Sequence, residues 1–311
     1  MKGKVIQIIR TFPHGNKLYR RSEGHPEEKP LLQQLKSAYI IWKNSCLKVT
    51  ITNENDLKQI IQYTNNYIDF WHQEIFDKIR NNGQSQLYPS VLEETMYYLF
   101  NTIVKPPLVC GTRTICISSY IKPYNELNFN AFYEDNLCFE TMDADFVIGM
   151  LIDSMITKKK EIIPFVIIEN KKYADKTMRG RGEDIKLKLK RFSTDCLYAF
   201  VVDILRGGSI SKDFNPNLCT IDQIYGVREW NDDSKNELKE NVVFTLFSDV
   251  VYHLHKIKKE SISMEERFNR GFMMDRYTPP LPEVFQIVEE FQKIKPITEQ
   301  PIIMFNKENI T

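Results

Sequence analysis

Ile162-Ile163-Pro164-Phe165-Val166-Ile167-Ile168-Glu169-Asn170-Lys171 is the stretch on which the reading of this chain turns. A strand with one face in water alternates apolar and polar residues. A near-continuous apolar run such as 162–168 instead predicts a strand covered on both faces, as in a sheet with helices on either side. The run ends on charge. Side chains alternate along a strand, so Glu169 and Lys171, two residues apart, fall on the same side of it.

Working outward, Asp145 to Ile152 reads as a partner strand, and polar Asp153 to Glu161 suits a hairpin connection between the two. Arg181 to Phe192 reads as a basic helix, Cys196 to Val202 as a second buried strand, and Cys219 to Val227 as a shorter third. Asn236 to Lys258 is helical, with Val243, Leu246, Phe247, Val250 and Leu254 on one face. Upstream, Thr114 to Tyr120 is a strand candidate and Pro89 to Phe100 a helix. The order is that of an α/β core with a mixed central sheet flanked by helices. Leu31 to Trp42 and Asn55 to Arg80 have helical spacing, so an N-terminal, mainly helical region precedes this core. Its Asn55 to Arg80 segment is apolar enough to be expected to serve either the core or a subunit contact. Residues 11–30, with Pro13, Gly15, Gly24, Pro26 and Pro30, read as an irregular lead-in. The expected divisions are 1–86 helical region, 87–260 catalytic core and 261–311 C-terminal extension, the last with a short helix at Ser263 to Phe272.

The chemistry lies where acids interrupt the apolar strands. Asp145 opens one strand and Glu169 closes the next, giving D-x23-E-x-K with Lys171. Carboxylate oxygens are hard ligands of the kind Mg²⁺ takes, and such an ion lowers the pKa of bound water and neutralises charge at a scissile phosphate. A lysine beside it is a compact cation that positions the water and stabilises the transition state. An upstream carboxylate often completes such a site. On the Pro89 to Phe100 helix, Glu93 falls at the edge of the apolar face and Glu94 nearly opposite, which favours Glu93; Asp143, on the same strand face as Asp145, is the backup. The pattern D…ExK alone is common, and a strand-end ion pair between Glu169 and a lysine is its bland reading. Residues 171–191 add nine basic residues against three acidic ones, Lys172, Lys176, Arg179 and Arg181 among them. Such a segment attracts DNA phosphates, although a solvated basic helix has the same composition.

At this point the residues carry a family resemblance. PSVLEETMYYLF (89–100), DADFVIG (143–149), IIPFVIIENKKYADKTM (162–178), CLYAFVVD (196–203) and IDQIYGVR (221–228) resemble the Bpu-ten-I family of two-subunit type II restriction endonucleases, within the PD-(D/E)xK nuclease superfamily. The likeness covers roughly residues 85–258. It implies a restriction-endonuclease-like fold and Mg²⁺-dependent, site-specific hydrolysis of double-stranded DNA that leaves 5′-phosphates. It also implies Asp145 and Glu169 as metal-binding carboxylates, Lys171 as the catalytic lysine, Glu93 of the Glu93-Glu94 pair as the accessory ligand, and DNA contacts or loop bracing from Tyr173, Asp175, Lys176 and Thr177. Its implied partners are double-stranded DNA, a second endonuclease subunit in a homo- or heterodimer, and a cognate DNA methyltransferase. The chain departs from the family at Asn170, where Cys or a small residue is frequent, and at Arg179-Gly180-Arg181-Gly182-Glu183-Asp184, which obscures where the following helix starts. Two alternatives stand beside this reading: a structure-specific repair or recombination nuclease of the same superfamily, and a non-catalytic DNA-binding subunit.

Composition bounds the rest. The chain has 311 residues, 42 Lys plus Arg against 41 Asp plus Glu and a net charge of +1, which excludes a uniformly basic nucleic-acid coat but not a local patch. No apolar run approaches the ~18 residues of a membrane span, and the basic N-terminus has no secretory apolar region, so a cytoplasmic protein without a membrane partner is expected. Six scattered cysteines without CxxC spacing read as thiols in a reducing compartment, with Cys116, Cys138 and Cys196 buried. Gly180-x-Gly182 lacks the rest of a phosphate loop, and His253 and His255 lie ~200° apart on a helix, so neither pair makes a site.

Overall fold

The computed structural model describes residues 9–80, 87–106, 108–121, 138–153, 160–172, 176–192, 196–203, 221–228, 237–259 and 280–293. Its helices are α1 (Pro13–Gly24), α2 (Lys29–Leu47), α3 (Glu54–Trp71), α4 (Asp77–Arg80), α5 (Leu87–Phe100), α6 (Lys176–Phe192), α7 (Glu240–Lys259) and α8 (Leu281–Lys293). Its strands are β1 (Leu108–Ile121), β2 (Cys138–Asp153), β3 (Lys160–Lys171), β4 (Leu197–Val202) and β5 (Gln223–Gly226). They form one mixed sheet in the order β1-β2-β3-β4-β5. β1 with β2 and β2 with β3 are antiparallel; β3 with β4 and β4 with β5 are parallel.

Both faces of the sheet are covered, which is why β3 and β4 read as continuous apolar runs. Phe146, Ile148, Val166, Ile168, Leu197, Ala199 and Val201 face a large core shared with the N-terminal helices, α5, α7 and α8. Val147, Ile167, Tyr198, Phe200 and Val202 face a smaller core closed by Leu189 of α6. α6 is the crossover that parallel pairing of β3 and β4 demands. The N-terminal helices thus bury their apolar stripes in the same core as one face of the sheet.

Four expectations are corrected. Residues 11–30 are not irregular: Pro13 occupies the first turn of α1, where a missing N–H costs nothing, and Gly24 ends it. Gly15 is needed inside α1 because a Cβ there would fall 2.4 Å from the Tyr39 hydroxyl. The segment Asn55 to Arg80 is not one helix; it breaks after Trp71, passes through a 3₁₀ turn at Glu74–Phe76 and restarts as α4. α6 begins at Lys176 rather than Arg181 and runs through both glycines. Finally, α8 went unforeseen; it buries Val284, Ile287, Val288 and Phe291 against α7. The linker at 81–86, the hairpin connection at 154–159 and the helix expected at Ser263 to Phe272 lie outside the described residues.

Candidate active site

β2 and β3 part where their acids stand. Their ladder closes at Phe146 opposite Ile168, whereas β3 continues beside β4 as far as Lys171 opposite Val202. Beyond the last β2–β3 pair, the backbone N–H of Asn170 donates to Asp145 Oδ2 at 2.8 Å, so a side chain takes over from the ladder. Lys171 Nζ lies 3.1 Å from Asp145 Oδ2 and 2.7 Å from Glu169 Oε2. One ammonium therefore reaches both carboxylates, which converge closely enough to share a cation. Asp145 is 3% exposed and Glu169 8%, and hard oxygens in this setting are a donor set that fits Mg²⁺.

Glu93 of α5 joins through a residue that sequence reading missed. Arg113 donates to Glu93 from Nε at 2.9 Å and from Nη2 at 2.5 Å, while its Nη1 is 3.0 Å from Asp145 Oδ1. In the β1–β2 register Thr112 pairs with Phe146 and Thr114 with Ala144, so Arg113 stands opposite Asp145. Its φ of 44° is left-handed, a conformation costing a non-glycine residue about 1–2 kcal/mol. Lys17 of α1 approaches Glu93 Oε1 at 3.7 Å. Three carboxylates thus meet three cations. Arg113 escaped notice because its charge just precedes the expected strand at Thr114, and Lys17 because its segment read as loop.

Burial sets the protonation behaviour. It raises the Glu169 carboxyl to about 7, with the like charge of Asp145 adding to the rise and Lys171 opposing it. Burial pulls Lys171 down, but Glu169 and Asp145 outweigh it and hold the ammonium above its ordinary value. Burial lowers Lys17 despite the pull of Glu93.

Glu94 belongs to a different cluster. Its Oε2 accepts from the backbone N–H of His14 at 3.0 Å and Gly15 at 3.4 Å, and its Oε1 from the Tyr98 hydroxyl at 2.5 Å. It serves as a buried acceptor at the start of α1. Both neighbours on α5 are fully buried because this helix is enclosed all round, with 91–100 buried without interruption. Asp143 is exposed opposite Ile115.

No protein-family model matches the chain, and no curated protein matches its sequence. Its structure is similar to a chain of the native BbvCI A2B2 tetramer, with a TM-score of 0.61 and 19% identity over 79% of this chain and 95% of that chain. The two share a fold. The BbvCI likeness concerns the arrangement of helices and strands; what each side chain does here rests on the geometry above.

Of the expected DNA contacts, Lys172 is exposed just beyond β3 and Arg181 is exposed on α6. Lys176, Thr177 and Arg179 lie in the first turn of α6, with side chains outside the description, and Tyr173 and Asp175 fall outside the described residues. Among the described residues, His25, Glu27 and Glu28 bring three metal-capable side chains within 4.8 Å of one another. These sit at the surface, and Glu28 is taken by Arg21 at 2.6 Å, so they lack the burial and strand-end setting of the Asp145 cluster. No helix among the described residues is long and apolar enough to cross a membrane.

Proposed function

We propose that this chain is a type II restriction endonuclease subunit of the Bpu-ten-I family, built on a PD-(D/E)xK core, that hydrolyses double-stranded DNA at a specific sequence with Mg²⁺ and leaves 5′-phosphates. The observation that carries the reading is the bridge from Lys171 Nζ to Asp145 and Glu169 at the point where β2 leaves β3. The fold shared with a chain of the BbvCI A2B2 tetramer supports it.

Asp145 and Glu169 would hold the ion, with Glu93 as accessory ligand. The bound ion would supply an acidified water and neutralise charge on the phosphate. Lys171, held as an ammonium by Glu169 and Asp145 before the ion enters, would orient the nucleophile and stabilise the anionic transition state. Glu169 must be ionised to hold the ion, whose charge would oppose the upward push that burial and Asp145 give its carboxyl. Lys172, Lys176, Thr177, Arg179 and Arg181 would follow the DNA backbone beside it. The BbvCI tetramer is an A2B2 assembly, and by analogy a second endonuclease subunit would cut the other strand. A methyltransferase of the same system would protect the host site, and all would act in the cytoplasm.

The test is digestion of plasmid DNA by the purified chain with Mg²⁺, with EDTA, and by Lys171→Ala. Discrete Mg²⁺-dependent fragments, or site-specific nicks, that fall at least about 100-fold in Lys171→Ala while DNA binding persists are expected. Cutting that survives the substitution would place the chemistry elsewhere.

A further inference from the structure

Arg113 has no part in the hydrolysis just described, yet it makes more contacts to the carboxylates than any other side chain of the cluster. Its guanidinium grips Glu93 through two nitrogens and Asp145 through the third. Asp145 is thereby engaged at both oxygens, Oδ1 by Arg113 and Oδ2 by Lys171 and the Asn170 N–H. The guanidinium stands between Glu93 and Asp145, and among the described residues Glu93, Asp145 and Glu169 do not form a set with ligand atoms all within 4.8 Å of one another. Its left-handed backbone at φ 44° aims it there at a cost in strain.

A dication held jointly by Glu93 and Asp145 needs the space and the oxygens that Arg113 uses, and it would be repelled by that fixed charge. Arg113 must therefore move before the ion is held. The side chain is 32% exposed, so it has a route outward. A planar fork that fits a carboxylate also fits a phosphate.

Resting on the site proposed above, we propose that Arg113 is a competing cation, which holds Glu93 and Asp145 until a DNA phosphate draws its guanidinium away, so that divalent-cation affinity is low in the free chain and rises on DNA.

Mn²⁺ binding to the full chain by calorimetry tests this without recourse to cleavage. Arg113→Gln is expected to bind Mn²⁺ at least tenfold more tightly than the unaltered chain in the absence of DNA. Adding a random-sequence duplex should tighten Mn²⁺ binding by the unaltered chain but not by Arg113→Gln. Equal or weaker binding by Arg113→Gln without DNA, or equal tightening of both proteins by the duplex, would overturn the proposal. Should Arg113→Gln fail to fold with Glu93 left unpaired, Glu93→Gln is compared with Glu93→Gln/Arg113→Gln; the double variant should bind at least tenfold more tightly, and equality would overturn it. Asp145→Asn separates the two layers. Mn²⁺ binding that ignores Asp145→Asn refutes the site itself, whereas Asp145-dependent binding with no gain on losing Arg113 refutes only the competing role.

Discussion

The backbone N–H of Asn170 is held by the side chain of Asp145 at 2.8 Å, not by another strand. This bond fixes the central acid of the site to the strand carrying the other two groups. It depends on the main chain of residue 170 and not on what side chain stands there. The Asn170 side chain itself is 4% exposed, and neither its Oδ1 nor its Nδ2 has a hydrogen-bond partner among the described residues. It shares a parity with Val166 and Ile168, hence it faces the large apolar core.

Asn170→Val is therefore expected to stabilise the chain by about 1–2 kcal/mol, since a desolvated amide without partners costs about that much. The substitution leaves the N–H on Asp145 in place, so cleavage should persist. Urea denaturation with parallel digestion checks both halves; a loss of stability would mean that the amide is satisfied by residues outside the described set.

A second prediction concerns pH. Burial raises Glu94 to about 7 from an ordinary 4.5 and lowers His14 to about 3 from 6.5. Geometry agrees for His14: Leu87 O at 3.0 Å can only accept, so Nδ1 carries the proton and Nε2 accepts from the Tyr67 hydroxyl at 2.6 Å. Glu94 binds a proton more tightly when folded, a contribution that is complete below pH 4.5 and lost as pH rises towards 7. His14 binds one less tightly when folded, a contribution complete above 6.5 and lost as pH falls towards 3. Between pH 4.5 and 6.5 the folded chain holds one proton on Glu94 and the unfolded chain one on His14, so the two slopes cancel. Each substitution should unmask the other. Stability of Glu94→Gln should rise across this window, and that of His14→Asn should fall, each by on the order of 2–3 kcal/mol. Denaturant midpoints at three pH values would test it; parallel profiles in all three proteins would refute it.

These two residues also show where sequence reading reaches its limit. The α/β order and the buried strands were legible because they depend on local periodicity, and Glu169 and Lys171 because charge closes β3; Asp145, expected to open its strand, instead lies within β2, which begins seven residues earlier at Cys138. Glu93 could be ranked above Glu94 from helical phase alone. What phase could not convey is that α5 is enclosed on every side, so that Glu94 too is buried, on the backbone of a helix eighty residues upstream. Arg113 was invisible for a similar reason: its partners come from α5 and β2, and only the register that sets it opposite Asp145 reveals them. α1 was hidden by glycine and proline, which act as breakers on average but serve here as a first-turn residue and a close-packing position.

The glycines of α6 give a contrast that checks this directly. A Cβ on Gly182 would fall 2.5 Å from Phe200 Cζ and 3.0 Å from Ile221 Cδ1, so this glycine is what lets α6 lie close on β4. Gly180, one half-turn earlier, has nothing within 4 Å of such a Cβ and is exposed. Gly182→Ala should destabilise by about 1–3 kcal/mol through overpacking. Gly180→Ala should stabilise by up to about 1 kcal/mol through helix propensity. Thermal melts of the two single variants decide the matter, and equal effects would refute the packing described for α6.

The last prediction follows from the exposed cations beside the site. If Lys172 and Arg181 meet DNA phosphates, each releases about one counterion on binding, and the logarithm of affinity falls with the logarithm of salt in proportion to the contacts made. Lys172→Ala and Arg181→Ala should each lower the steepness of that dependence by about one unit, weaken binding evenly across sequences, and leave the choice of cleavage site unchanged. Lys188 offers the internal control. It lies on the same helix as Arg181, and its pairing with Glu140 at 2.8 Å answers its charge within the chain. Lys188→Ala should leave the salt slope within error of the unaltered protein. Fluorescence anisotropy of a labelled duplex over a salt series measures all three, and a slope that drops equally for Lys188→Ala would mean the whole basic segment acts as a diffuse field rather than through defined contacts.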